Sequence, residues 1–212
     1  EPKSPPSEDA TQTRALVLDG LKNAFRSRRF WFTLAVAFVG LGIFNGVSTW
    51  IESIIRPRGF DPAAAGTTGA IMIVAGLLGA VILPAFSDKQ QKRQKFLYIA
   101  LAGAVPGLLG LTFAPTLILL LISAFVLGFF LVSALPVAMQ YAAEVTAPTP
   151  EGTSNGLIQL FGQGAVVFVY VMESMKTENG SFTPSLLFAV FMLIFGLFFV
   201  SRMIDTRLLP AE

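Results

Sequence analysis

The sequence predicts an all-α integral membrane fold of six transmembrane helices. Three observations predict it. Of its 212 residues, 54% are hydrophobic and only 13% charged, with a mean hydropathy of +0.69. The apolar residues fall into six runs, each near the ~20 residues that cross a hydrocarbon core as a helix. Short loops between the runs hold most of the charge. A water-soluble domain has no interior large enough for so much apolar surface. In lipid the backbone must satisfy its own hydrogen bonds, so the spans are read as helices.

The chain opens on Glu1–Asp9, a polar Pro/Ser-rich stretch that reads as a linker. It begins without Met and shows no cleavable signal, so a fragment of a longer polypeptide is expected. In Arg14–Arg26, Leu18, Leu21 and Phe25 share one helical face beside Asp19, Lys22 and Arg26. That pattern suggests an interfacial amphipathic helix on the cytoplasmic surface, an ordinary linker helix being the alternative. Residues 1–29 are therefore assigned to a cytoplasmic linker, 30–205 to the membrane bundle and 206–212 to a cytoplasmic tail.

The first span, Phe30–Ile55, carries Asn45, Thr49 and Glu52 on one face. The second is Ala64–Ser87. The third, Phe96–Phe113, is nearly pure hydrocarbon. The fourth, Thr116–Tyr141, aligns Ser123, Phe130, Ser133, Gln140 and Glu144. The fifth, Gly152–Ser174, carries a stripe of Asn155, Gln159, Gln163 and Tyr170. The sixth, Thr183–Met203, is again nearly pure hydrocarbon. Polar stripes on spanning helices belong against protein or a wet cavity. The first, fourth and fifth spans are thus expected to line a site, and the third and sixth to face lipid. The first and fourth hold equivalent places in two triplets, the pattern of a 3+3 inverted repeat in secondary transporters. Gly42-x-x-x-Gly46, Gly103-x-x-x-Gly107 and Gly152-x-x-x-Gly156 are spaced for close helix contact. Pro106 and Pro136 fall inside spans, where they are expected to kink the helix.

Charge sets the orientation. Lys3, Arg14, Lys22, Arg26, Arg28, Arg29, Lys89, Lys92, Arg93, Lys95, Arg202 and Arg207 fall on the side shared by both termini. Only Arg56, Arg58 and Lys176 fall on the other. The positive-inside rule then places both termini in the cytoplasm, with plasma membrane and endomembrane equally open.

The chemistry that is missing also constrains function. With no His and no Cys, the chain supplies no disulfide, zinc site or haem-ligating His, and no cofactor or metal is expected. No acid pair lies near the middle of a span, so an enzyme is not expected. No nucleic-acid motif occurs. A six-helix channel lacks its signs: no Asn-Pro occurs, and the third loop is only Ala114-Pro115. A non-transporting receptor or scaffold would need larger outer loops. Nor does any ionisable residue lie mid-span, so coupling either resides elsewhere or is absent, as in a uniporter.

The second loop reads Pro84-Ala-Phe-Ser-Asp88-Lys89-Gln-Gln-Lys92-Arg93. It resembles the major facilitator superfamily signature, in which a glycine is followed at fixed spacing by an acid and two bases. Pro84 stands in place of the glycine, while Asp88, Lys89 and Arg93 match. The fourth loop has no base but holds Glu144 and Glu151. Asp88, Lys89, Arg93, Glu144 and Glu151 therefore read as a gating latch, with Asp88 near the positive end of the fifth span and the bases reaching the acids. Plain topogenic charge is the alternative. Thr149 and Pro150 read as N-cap and first helical residue of the fifth span.

Ala143-Glu144, then Pro148-x-Pro150-Glu151-Gly-Thr-Ser-x-Gly-Leu157, then Gln163 is similar to the feline leukaemia virus subgroup C receptor-related family of that superfamily. Gly42-Ile-Phe-Asn45 resembles its seventh helix. The resemblance implies the C-terminal six-helix half of a twelve-helix transporter. Its partners would be the lipid bilayer, a small-molecule substrate and an N-terminal six-helix half absent from this chain. It implies alternating-access movement of a small polar or cationic solute such as choline or ethanolamine, with haem or another solute as the alternative cargo. It also implies that Gln163 contacts substrate near the midplane. Leu41 or a neighbour holds the place where choline-binding members carry a seventh-helix Tyr. Asn45, Thr49, Gln140 and Gln159 are the other expected lining residues, an interhelical hydrogen bond being the alternative for Gln163.

Overall fold

The computed structural model describes residues 19–204. A first helix, α1, is helical across residues 19–26. Arg14 and Leu18, and the tail 206–212, lie outside the described residues. The long helices are α2 (Arg28–Ile55), α3 (Pro62–Gln90), α4 (Arg93–Phe113) and α5 (Leu117–Val145). They are followed by α6 (Glu151–Gly164), α7 (Val167–Ser174) and α8 (Thr183–Ser201). Among the described residues six spans are long and apolar enough to cross a membrane, α6 and α7 together making one of them.

Local chemistry explains the ends. The Ser27 hydroxyl accepts from Phe30 N to start α2. Asp61 accepts from Ala64 N at 2.7 Å, and Pro62 fills the first position of α3, where no N–H is needed. A 3-10 turn, Arg56–Arg58, leaves α2 and closes on Gly59 at φ 85°, a left-handed position suited to glycine. Pro84, Pro106 and Pro136 all lie within continuous helices.

The packing has a two-fold logic. The second helix of each triplet packs on the first helix of the other: α3 on α5, and α6–α7 on α2. The third helices do likewise, α4 on α5 and α8 on α2, while α4 and α8 meet each other. This interleaving is the 3+3 arrangement, and no triplet holds a core of its own.

One expectation is corrected here. The third span is not a lipid-facing support. Half of the most apolar stretch of α4 is buried, against 28% of that of α3. Its small residues are the reason. A side chain at Gly103 would strike the Phe130 ring, and one at Gly107 the α5 backbone at Leu127. On the α8 side, Leu101 seats over Gly196. The α4 helix is therefore sandwiched between two others. Instead α3 bares Ile73, Val74, Leu77, Val81 and Phe86, while α8 bares Phe191, Ile194, Phe195 and Phe198 as expected.

The α1 face read as membrane-facing packs on protein. Ala24 is fully buried, and Leu21 and Phe25 join Leu157, Ile158 and Phe161 of α6. Asn23 donates to Thr149 Oγ1 at 3.3 Å, and the Thr149 hydroxyl donates to Gly20 O at 3.3 Å. Thr149 thus ties α1 to the fourth loop rather than capping α6, whose cap position is Pro150.

At the other end of the bundle Trp50 joins three elements. Its indole N–H donates to Val169 O at 2.9 Å, and its ring stacks on Phe182 at 5.4 Å. Trp50→Phe keeps the ring contact and loses the hydrogen bond. It is expected to lower stability by about 1 kcal/mol, read as a lowered Tm in detergent.

Candidate functional site

The fifth span is not one helix. It breaks at Ala165 and Val166, directly after Gln163. Through the break the ladder tightens to three-residue bonds: Ala165 N donates to Gly162 O, and Val166 N to Gln163 O. Gly162 and Gly164 flank Gln163 and lower helix propensity without a proline. The break is held by packing on both sides. Leu41 fills the space over Gly162, while Phe168 and Met172 of α7 seat on Gly42 and Gly46 of α2. Gly42 and Gly46 are thus receptors for side chains of α7.

On the open side of α6, Gln159 and Gln163 are exposed, four residues apart on one helical face. Tyr170 on α7 is 70% exposed. Asn155 is half-buried, and its Oδ1 is buried without a partner. Leu41 has a second role. With Phe44, Gly40 and Val36 it lines a cavity of about 200 Å³ whose other wall is α5, at Leu131, Leu135 and Ala138. The cavity is apolar. None of the polar residues expected to line a site borders it.

Those expected residues are therefore divided. Gln159 and Gln163 share the open face of α6. On α2, Asn45 is half-buried and Thr49 exposed. Gln140, on α5, is exposed, its amide donating to Glu144 Oε1 at 3.3 Å. The remaining polar groups of the fourth-span stripe turn inward. Ser123 and Ser133 are buried, and their hydroxyls donate to the carbonyls of Leu119 and Phe130 at 2.7 Å. Such bonds satisfy a hydroxyl within its own helix.

At the end of the bundle nearest both termini, Arg93 opens α4 with its side chain only 8% exposed. Its guanidinium donates to Asp88 at the end of α3, to Ser87 Oγ at 3.2 Å, and to Glu144 of α5 at 3.0 Å. One arginine thus joins α3, α4 and α5. Asp88 pairs with Arg93. Lys89 and Glu151 are exposed and, among the described residues, in no ion pair. Ser87 was missed, since nothing in the sequence distinguishes it from any other serine beside an acid.

At the opposite end, Arg58 donates to Thr112 O at 3.2 Å and to Ala114 O at 3.3 Å. It supplies a cation to the negative end of α4. Among the described residues no group of His, Cys, Asp and Glu could hold a metal.

The family model that matches, over residues 1–170, is that of the Major Facilitator Superfamily. An uncharacterized protein of Archaeoglobus fulgidus is 34% identical over 167 residues, covering 77% of this chain and 74% of that protein. Solute carrier family 49 member A3 of Danio rerio is 30% identical over 169 residues, covering 77% of this chain and 36% of the carrier. The human choline/ethanolamine transporter FLVCR2 is 25% identical over 206 residues, covering 92% of this chain and 39% of the transporter. The chain thus spans well under half the length of these two carriers, which are transporters and not enzymes.

Proposed function

The chain belongs to the major facilitator superfamily and to its feline leukaemia virus subgroup C receptor-related branch, and on that premise we propose that it forms one six-helix half of a secondary transporter. Its cargo is a small polar or cationic organic solute of the choline or ethanolamine kind, moved by alternating access against an N-terminal half. The basic residues on the side of both termini support a cytoplasmic location for that side.

The observation that carries this reading is the pair Gln159 and Gln163 on an open face at a broken span. An amide facing hydrocarbon without a partner costs several kcal/mol, so this face belongs against water, solute or protein. Interrupted helices are where such transporters place their sites. The Gln163 amide oxygen suits a hydroxyl or an ammonium N–H of the cargo. Phe44, at the neighbouring cavity, offers a ring for methylated nitrogen. Asn45 and Thr49 extend the polar surface along α2. The Arg93 corner, with Asp88 and Glu144, holds the inner ends of three helices and so sets the shape of the inner gate.

Radiolabelled choline uptake by the full-length protein in proteoliposomes tests the assignment, with and without imposed ion gradients. Saturable uptake is expected, reduced about tenfold by Gln163→Ala, the equivalent of one hydrogen bond to a charged group. Unchanged uptake in Gln163→Ala removes that residue from the site. No uptake by the folded, inserted protein removes choline as cargo.

A further inference from the structure

A second site lies where α2 begins and α8 ends. Arg28 and Arg29 from α2 and Arg202, the residue capping the end of α8, surround a cleft of about 600 Å³, floored by Phe32 and Phe199. Among the described residues none of the three arginines is in an ion pair. The cleft is therefore strongly cationic, and its cations come from the ends of two different helices. The Arg202 guanidinium lies 4.9 Å from the centroid of Phe198. A guanidinium over a ring can still offer N–H groups to an acceptor, because the ring contact itself uses no hydrogen bond.

What lies beyond the cleft decides the class of ligand. Phe198, Phe195 and Phe191 continue from it along the outer side of α8, about half exposed, with neighbouring ring centroids 6.4 Å apart. They form an aromatic rail pointing toward the middle of the span. A free anion would use the arginines and leave the rail bare. An anionic phospholipid uses both: its phosphate takes the arginines and its acyl chain follows the rail. We propose that this cleft binds the headgroup of an anionic phospholipid in the leaflet on the side of the termini. The lipid would join the start of α2 to the end of α8, which meet beside Phe32 and Phe199.

The test is lipid retention by the full-length protein in neutral detergent, read by native mass spectrometry with dioleoylphosphatidylglycerol or dioleoylphosphatidylcholine. Phosphatidylglycerol is expected to be retained at least tenfold more strongly. Each single Arg→Gln change at positions 28, 29 and 202 is expected to weaken retention about fivefold, and the three together more than tenfold. Lys22→Gln with Lys92→Gln, exposed bases at the same end, is expected to leave retention unchanged. The triple Arg→Lys protein keeps the charge and guards against misfolding of the Gln set; retention within severalfold of the parent is expected. Equal retention of the two lipids, or full retention by the folded triple Gln protein, overturns the site. Binding of sn-glycerol 3-phosphate as tight as that of the lipid overturns the lipid assignment in favour of a soluble phosphate.

Discussion

Replacing Glu144 with Gln is expected to destabilise the bundle by about 3 kcal/mol, and Arg93→Met by about 2 kcal/mol, in detergent unfolding. The asymmetry follows from burial. The Arg93 side chain is 8% exposed, that of Glu144 27% and that of Asp88 62%. Losing the Glu144 charge leaves a buried guanidinium held mainly by Asp88, which water already screens. Losing the arginine leaves an acid that water can reach, with the Gln140 amide still beside it. The double variant Arg93→Met with Glu144→Gln is expected to lose less than the sum, because neither charge is left stranded. Strict additivity would mean that the pair does not hold the corner. Uptake measured on the same proteins separates a second role. A fall beyond the loss of folded protein means that the corner also governs opening toward the side of the termini.

The six spans were legible because length and hydropathy alone select a membrane helix. Their ends shifted by a few residues where polar caps prolong a helix past its apolar run, as Asp61 and Pro62 do for α3. The Arg93–Glu144 pair was legible as opposite charges in facing loops. That it binds α3, α4 and α5 of one half to each other needed the fold. The break after Gln163 was not legible. Only Gly162 and Gly164 mark it, in a chain with 19 glycines. Hydropathy also misassigned α4, because lipid tails and leucine side chains are equally apolar and leave the same signature. Small residues at Ala100, Gly103, Ala104 and Gly107 were the better signal for burial between helices. Ser123 and Ser133 misled for a related reason. A hydroxyl can return its bond to its own helix and so needs no polar neighbour.

The α3–α5 contact should be the least tolerant of added volume anywhere in the bundle. Glycines from both helices make it. A Cβ at Gly79 would strike the Phe129 carbonyl, and one at Gly128 the Met72 carbonyl. The obstacle in each case is backbone, which cannot rotate aside as a side chain does. Even Gly128→Ala must push the helices apart, and Gly128→Val is expected to cost at least about 3 kcal/mol and to abolish monodisperse protein on size exclusion. Gly152 and Gly156 have the same four-residue spacing yet meet nothing within 4 Å. There, alanine is expected to be neutral or to stabilise α6 by up to about 1 kcal/mol through helix propensity. Equal tolerance at both places would mean that α3 and α5 do not meet backbone to backbone. A stable Gly156→Ala protein with impaired uptake would place a moving or substrate-bearing surface against the same side of α6 that presents Gln159 and Gln163.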